Sequence, residues 1–313
     1  MSSRPRPHGL DRRALMLAGA SSATAAALSP IASVAAPSRL LSSAAGELTV
    51  ISDGHLVLPA SFLAPDAPPA ERDAALNGPG YAGSQFMAPT NCVLIAARSE
   101  LILVDAGSGP HFMPTAGKLI ENLNAAGFRP PAVTKIVFTH GHPDHLWGLI
   151  DDLDELAFPN ASYVVAAPEW DFWMSDDAER GLPAERAGFV TGARRNYARL
   201  KDKVQMVKPG DDIVTGIRVL ETHGHTQGHV SLEIAGGEGL IIGGDVLTHP
   251  VISFQHPEWR TTADHETERA IATRKKLLDR LATDRTRLIG FHLPYPGIGV
   301  VERKDGAYRF VAI

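Results

Sequence analysis

The chain has 313 residues, 44% of them hydrophobic, enough for a sizeable core in one large domain or two of ordinary size. A formal net charge of −5 argues against a nucleic-acid-binding surface. Cys92 is the single cysteine, so no intramolecular disulfide can form, and any metal must be held by His and Asp, of which the 13 histidines are conspicuous.

Residues 1–45 stand apart. Arg4, Arg6 and the pair Arg12-Arg13 precede a long Ala/Ser-rich apolar run that ends in small residues around Val34-Ala35-Ala36. Charged region, modest apolar region and small-residue cleavage site are the layout of an export signal. Leu10-Asp11-Arg12-Arg13-Ala14-Leu15-Met16-Leu17 resembles a twin-arginine signal, which predicts a periplasmic or secreted protein. A disordered tail and a membrane-anchored terminus are the alternatives. No other stretch reaches the roughly 18–20 apolar residues of a membrane span.

From residue 46 the pattern is globular. Glu47-Leu48-Thr49-Val50-Ile51-Ser52-Asp53-Gly54 reads as a strand and turn. Residues 59–82, rich in Pro, Ala and Asp, read as an irregular arm or lid over a site or a neighbouring subunit. Residues 91–97 and 101–104 form a predicted hairpin across Arg98-Ser99-Glu100, followed by a glycine-rich turn at 105–109. A helix is predicted over 114–126, with Gly127 as its stop. Strands are predicted at 135–138, 162–166, 217–222, 230–235, 240–242 and 288–291, with helices over 183–200 and 264–282. Asp264 is the candidate N-cap of the last helix.

The stretch Thr139-His140-Gly141-His142-Pro143-Asp144-His145 follows a short β-branched and aromatic segment. Neutral imidazole and carboxylate are first-row metal ligands suited to hydrolysis. Four such side chains on a tight turn past a strand are hard to explain as satisfied core residues. His225, Asp245 and His292 likewise follow apolar strands immediately. If those strands share an edge with their carboxyl ends together, the side chains converge, as ligands do at the ends of α/β sheets.

His-x-His-x-Asp-His at 140–145, Gly-His-Thr-x-Gly-His at 224–229, Gly-Asp at 244–245 and a late strand ending in His292 together resemble the metallo-β-lactamase superfamily. Within it the chain looks most like methyl parathion hydrolase and its relatives, on 156–161, Asp171-Phe172-Trp173 and the tail at 296–311. The resemblance implies an α/β fold: an αβ/βα four-layer sandwich of two mixed β-sheets flanked by helices, over 46–313. It implies two divalent metal ions, zinc first among them. His140, His142 and His225 would hold one ion and Asp144, His145 and His292 the other, with Asp245 bridging. Asp105 matches a position that orients ligand histidines. His229 becomes a supporting histidine, and His223, His249, His256 and His265 have no motif.

The implied chemistry is attack by a metal-bridging hydroxide on an ester, lactone or phosphotriester, with Asp144, His145 and Asp245 as its catalytic core. Trp173, Trp147 and Phe254 are the expected apolar pocket walls, with Trp259 a further candidate. After Asp245 the chain reads Ser253-Phe254-Gln255-His256-Pro257-Glu258, where paraoxon-cleaving relatives carry Gln-Phe-Asp-Asp. Alternatives are a quorum-signal lactonase, a β-lactamase, an iron-dependent redox enzyme of the same fold and a non-enzymatic binding protein. The partner expected is a small-molecule substrate. A homodimer is a further expectation, with the 59–82 arm as its contact.

Overall fold

The computed structural model describes residues 38–43, 45–76, 81–82 and 85–313. The expected export signal therefore lies outside the described residues up to position 37. The first sheet contains β1 (Ser38–Ser43), β2 (Gly46–Pro59), β3 (Tyr81–Ala82), β4 (Gln85–Ala97), β5 (Glu100–Val104), β6 (Lys135–Val137), β7 (Ser162–Ala166) and β8 (Val204–Val207). Its order is β1-β2-β4-β5-β6-β7-β8, with β3 on β4. Strand β1 pairs antiparallel with β2, so the sheet takes in residues ahead of the boundary expected at 46. From β5 to β8 the pairing is parallel.

The second sheet contains β9 (Asp212–Val214), β10 (Ile217–Glu221), β11 (Val230–Ile234), β12 (Leu240–Ile242), β13 (Arg287–Ile289), β14 (Ile298–Lys304) and β15 (Ala307–Ala312), paired in sequence order. Only β12 and β13 run parallel. Period-2 alternation sorts the side chains. Val93 and Ile95 of β4 enter a core shared with Val219, Leu232 and Ile242 of the second sheet, so the two sheets pack face to face. Cys92 and Leu94 point the other way, into the layer under the helices. Burial pushes the Cys92 thiol well up, as expected for a core cysteine.

The helices are α1 (Ala60–Leu63), α2 (Pro69–Ala75), α3 (Leu119–Ala125), α4 (Pro143–Leu146), α5 (Ala167–Met174), α6 (Asp177–Gly181), α7 (Ala187–Ala198), α8 (Ile252–Gln255) and α9 (Thr267–Asp284). Residues of α3, α4, α5 and α7 cover the first sheet. Ala270, Arg274, Leu277, Leu278 and Leu281 form the buried stripe of α9, and its leucines meet Ile241 and Leu288 of the second sheet. The result is the expected four-layer sandwich of two mixed sheets between helices.

Several boundaries move for local reasons. The helix predicted over 114–126 begins only at Leu119. Gly117 has φ 75°, and the amide of Leu119 donates to Asp53 Oδ1 at 2.8 Å. Helix α9 begins at Thr267 rather than beside Asp264, whose carboxylate is engaged elsewhere. Of the 59–82 arm, residues 59–76 are more ordered than their composition suggests. Leu63, Ala67 and Leu76 pack with Phe86, Ala116 and Ile252 in a separate apolar cluster.

Candidate metal centre

Each loop that carries a ligand begins where a strand stops. Residues 139–145 follow β6 and run into α4, where Pro143 occupies the first turn and suits it, having no N–H to satisfy. His225 follows β10, Asp245 follows β12 and His292 follows β13. The structure brings all seven side chains into two groups: His140, His142 and His225 in one, and Asp144, His145, Asp245 and His292 in the other, all buried.

In the first group His142 Nδ1 lies 2.9 Å from His140 Nε2 and 3.0 Å from His225 Nε2. In the second, His292 Nε2 lies 3.2 Å from both Asp144 Oδ2 and Asp245 Oδ2, and His145 Nε2 lies 3.3 Å from Asp245 Oδ1. Asp245 Oδ2 is also 3.4 Å from His225 Nε2, so this carboxylate stands between the groups. Ligand atoms around a tetrahedral zinc at about 2.0–2.1 Å lie about 3.3 Å apart, close to the spacing seen here. Asp144 Oδ2, His145 Nε2 and Asp245 Oδ1 are buried and meet only one another and His292, at 3.2–3.4 Å, without a well-formed hydrogen bond. Three orphaned donor atoms aimed at one spot fit divalent cations and are costly without them.

Electrostatics agrees. Burial first, and then the neighbouring imidazoles, hold His140 and His142 well below the ordinary histidine pKa. Both therefore present neutral, ligand-ready rings. For His292 burial pulls down, but the Asp245 and Asp144 carboxylates prevail and push it up to about 10.

The far side of each ring is fixed as well. His145 Nδ1 meets Asp105 Oδ2 at 2.8 Å, and Asp105 also accepts the Thr139 amide at 2.8 Å and hydroxyl at 2.9 Å. His292 Nδ1 donates to the Pro89 carbonyl at 2.7 Å. His225 Nδ1 meets Asp264 Oδ1 at 3.0 Å, and the other oxygen of Asp264 accepts from Arg274 at 2.9 Å. Such partners fix tautomer and ring orientation. His229 supports the centre from outside: Thr222 Oγ1 lies 2.9 Å from Nδ1, and Nε2 accepts the Asp245 amide at 3.0 Å.

His265 has no sequence motif, yet its Nε2 lies 3.0 Å from His142 Nε2 and its Nδ1 3.0 Å from Gln227 Oε1. An amide oxygen accepts from Nδ1–H, which leaves Nε2 to accept from His142. His142 is therefore the ligand backed by an imidazole rather than by oxygen. His223, His249 and His256 stay outside the centre: His223 bonds Arg269 and His256 stacks on Trp259. His249 is buried under Val251 and Ile252, whose amides donate to its Nδ1.

Glu169 is invisible to the motifs, since an acid in the first turn of α5 reads as a routine helix start. Its fully buried carboxylate accepts Gly141 N at 2.8 Å and Trp173 Nε1 at 2.6 Å on one oxygen. The other oxygen accepts Thr226 Oγ1 at 2.6 Å and Gly228 N at 3.0 Å. One side chain therefore ties both histidine loops to α5. The approach is so close that a Cβ on Gly141 would lie 2.4 Å from Trp173 Nε1, and one on Gly228 2.1 Å from Glu169 N.

The ligands open into a cavity of about 350 Å³ with Leu56, Leu58, Phe62, Leu63, Phe112, Met113 and Phe189 among its walls. The expected walls are elsewhere. Trp173 is fully buried against Glu169, because its indole N–H needs that acceptor. Phe254 packs on Phe310 behind the second sheet. Trp147 stands edge-on to Phe112 and Phe189 and so backs the wall without lining it. Trp259 stacks on His256, away from the cavity lining.

A sequence profile of the metallo-beta-lactamase superfamily matches residues 87–292, and the chain belongs to that superfamily. It is a metallo-hydrolase of that fold. AidC, a dizinc quorum-quenching lactonase solved with the product N-hexanoyl-L-homoserine, superposes with a TM-score of 0.82 at 27% identity, over 88% of this chain and 97% of its own. AbOPH, a hydrolase of the beta lactamase superfamily, gives 0.83 at 29% identity, over 90% and 99%. An uncharacterized protein of Mycobacterium leprae is 31% identical over 166 residues, 51% of this chain and 69% of that protein.

Proposed function

We propose that the chain hydrolyses carboxylic esters or lactones whose acyl or aryl part is apolar, using two zinc ions, with phosphotriesters as the alternative electrophile. The observation that carries this reading is the opening of both ligand groups into one apolar cavity. Divalent ions held there would supply water activated at neutral pH and polarisation of a carbonyl or phosphoryl oxygen. The chain's own part is placement. Asp144, His145 and Asp245 aim their lone pairs at one spot, and Asp105, Asp264 and Glu169 keep the loops from turning away. Phe62 and Leu63 of the arm, together with Phe112 and Phe189, exclude water and seat an apolar group. The volume lies at the small end for ligand sites, which favours short acyl chains.

A place beside methyl parathion hydrolase, and export by the leading twin-arginine segment to the periplasm or beyond, belong to the same reading. So does a homodimer. The test is metal analysis of purified protein beside turnover of a p-nitrophenyl ester, an acyl-homoserine lactone and an aryl phosphotriester. Metal-replete protein should cleave the ester or the lactone, and His142→Ala should lose metal and turnover together. Equal turnover in both proteins would refute the site.

A further inference from the structure

Two arginines are buried near the centre, and they are held differently. Arg274 donates to the carbonyls of Val246, Pro257 and Trp259 and meets the Asp264 carboxylate at 2.9 Å. It is neutralised, and it does not line the cavity. Arg186, in the turn Ala184–Arg186 that leads into α7, does line it. Only 9% of Arg186 is exposed. Its guanidinium donates to the carbonyls of Thr262 and Ala263 and lies over the Phe62 ring at 6.0 Å.

Among the described residues no carboxylate pairs with Arg186. The nearest acid along that loop, Asp264, is spent on His225 and Arg274. The other carboxylates at the cavity, Asp144 and Asp245, belong to the metal ligand groups. A guanidinium keeps its charge at any physiological pH, and a buried charge is ordinarily paired. The Asp264 charge is felt at Arg186, but it is already matched by Arg274, so among the described residues the side of Arg186 left to pair faces the cavity.

We infer that Arg186 is the specificity-determining residue of this cavity and selects substrates that carry a free carboxylate on the apolar arm beside the scissile bond. This rests on the hydrolase reading given above. The guanidinium fork suits a carboxylate geometrically, and desolvation by Phe62 and Phe189 strengthens the pair. A neutral arm of the same length leaves the cation unmatched.

The test compares p-nitrophenyl hexanoate with mono-p-nitrophenyl adipate, whose carboxylate is too far along the chain to close a five- or six-membered anhydride, on metal-replete wild type, Arg186→Gln and Arg186→Lys. The wild type should favour the adipate ester by about tenfold or more in kcat/KM, chiefly through KM. Arg186→Gln should lose at least about tenfold more on the adipate ester than on the hexanoate ester, and Arg186→Lys should keep part of the preference. A wild type without that preference, or equal losses on both esters, overturns the proposal. If neither ester is cleaved, the open-chain ester reading has failed, and Arg186 is judged by calorimetric binding of hexanoate against hexanamide. Arg186→Gln must then weaken hexanoate selectively, and an unselective change overturns the inference. Melting curves and metal content show whether Arg186→Gln folds. If it does not, the wild-type comparison decides alone.

Discussion

Replacing Glu169 with alanine takes one acceptor from four buried donors: the amides of Gly141 and Gly228, the Thr226 hydroxyl and the Trp173 indole. Thr226 can rotate, but the other three N–H groups cannot turn away, and each unmet donor costs about 1–3 kcal/mol. Burial pushes the Glu169 carboxyl above its ordinary pKa against those same hydrogen bonds, so removing the buried charge returns part of the cost. The expected net loss is about 4 kcal/mol, or roughly 10 °C in melting midpoint. Glutamine separates this account from simple loss of volume. If its nitrogen takes the place of Oε2, it meets the rotatable Thr226 hydroxyl and the fixed Gly228 amide. Only one donor is then stranded, at about 2 kcal/mol. Because Gly141 lies between the ligands His140 and His142, and Gly228 lies in the loop of the ligand His225 beside the supporting His229, both variants should bind zinc about 10–100-fold more weakly by chelator competition. Glu169→Gln with wild-type melting and wild-type zinc affinity would refute the reasoning.

Three further outcomes follow from the same geometry. His265→Ala removes the acceptor behind His142 and should weaken zinc binding about tenfold with little change in melting, read by chelator competition beside calorimetry. His249 has its pKa lowered by burial to about 3, so the folded protein takes up that proton later than the unfolded chain. Its contribution to stability is complete above about pH 6.5 and falls as pH drops toward 3, with a slope of up to about 1.4 kcal/mol per pH unit. His249→Asn keeps an acceptor for the Val251 and Ile252 amides but cannot titrate, so denaturant melts between about pH 4 and 6 should show a shallower slope in the variant than in the wild type. Phe189→Ala should raise KM for apolar esters about tenfold while zinc content holds, since the wall loses the apolar area of a ring. Unchanged KM would remove Phe189 from the binding wall.

The ligand set was legible because its signal is local. Four donors fall on one turn, and three more sit directly after apolar strands, where strand ends define an edge. The supporting residues are legible only in part. Asp105 follows a strand and matches a family position. Asp264 reads as a helix cap because Asp suits both roles, and only the contact with His225, 39 residues away, decides between them. Glu169, His265 and Arg186 act through partners 28 to 123 positions distant, and no periodicity reports such contacts. Trp173 misleads for another reason: a wall and a core residue are equally apolar, and its indole is turned inward by a hydrogen bond to Glu169 one turn back in the same helix. The cavity lining comes from separated segments, 56–63, 112–113, 186–189 and 261–263 among them.

Neither sheet owns a complete ligand set. His140, His142, Asp144 and His145 hang from the first, while His225, Asp245 and His292 hang from the second. Any cation captured there is also a rivet through the seam between two half-proteins. Starving the cell of metal would then do more than silence the chemistry: it would loosen the clasp that keeps the halves in register, and turnover and durability would decline along one curve.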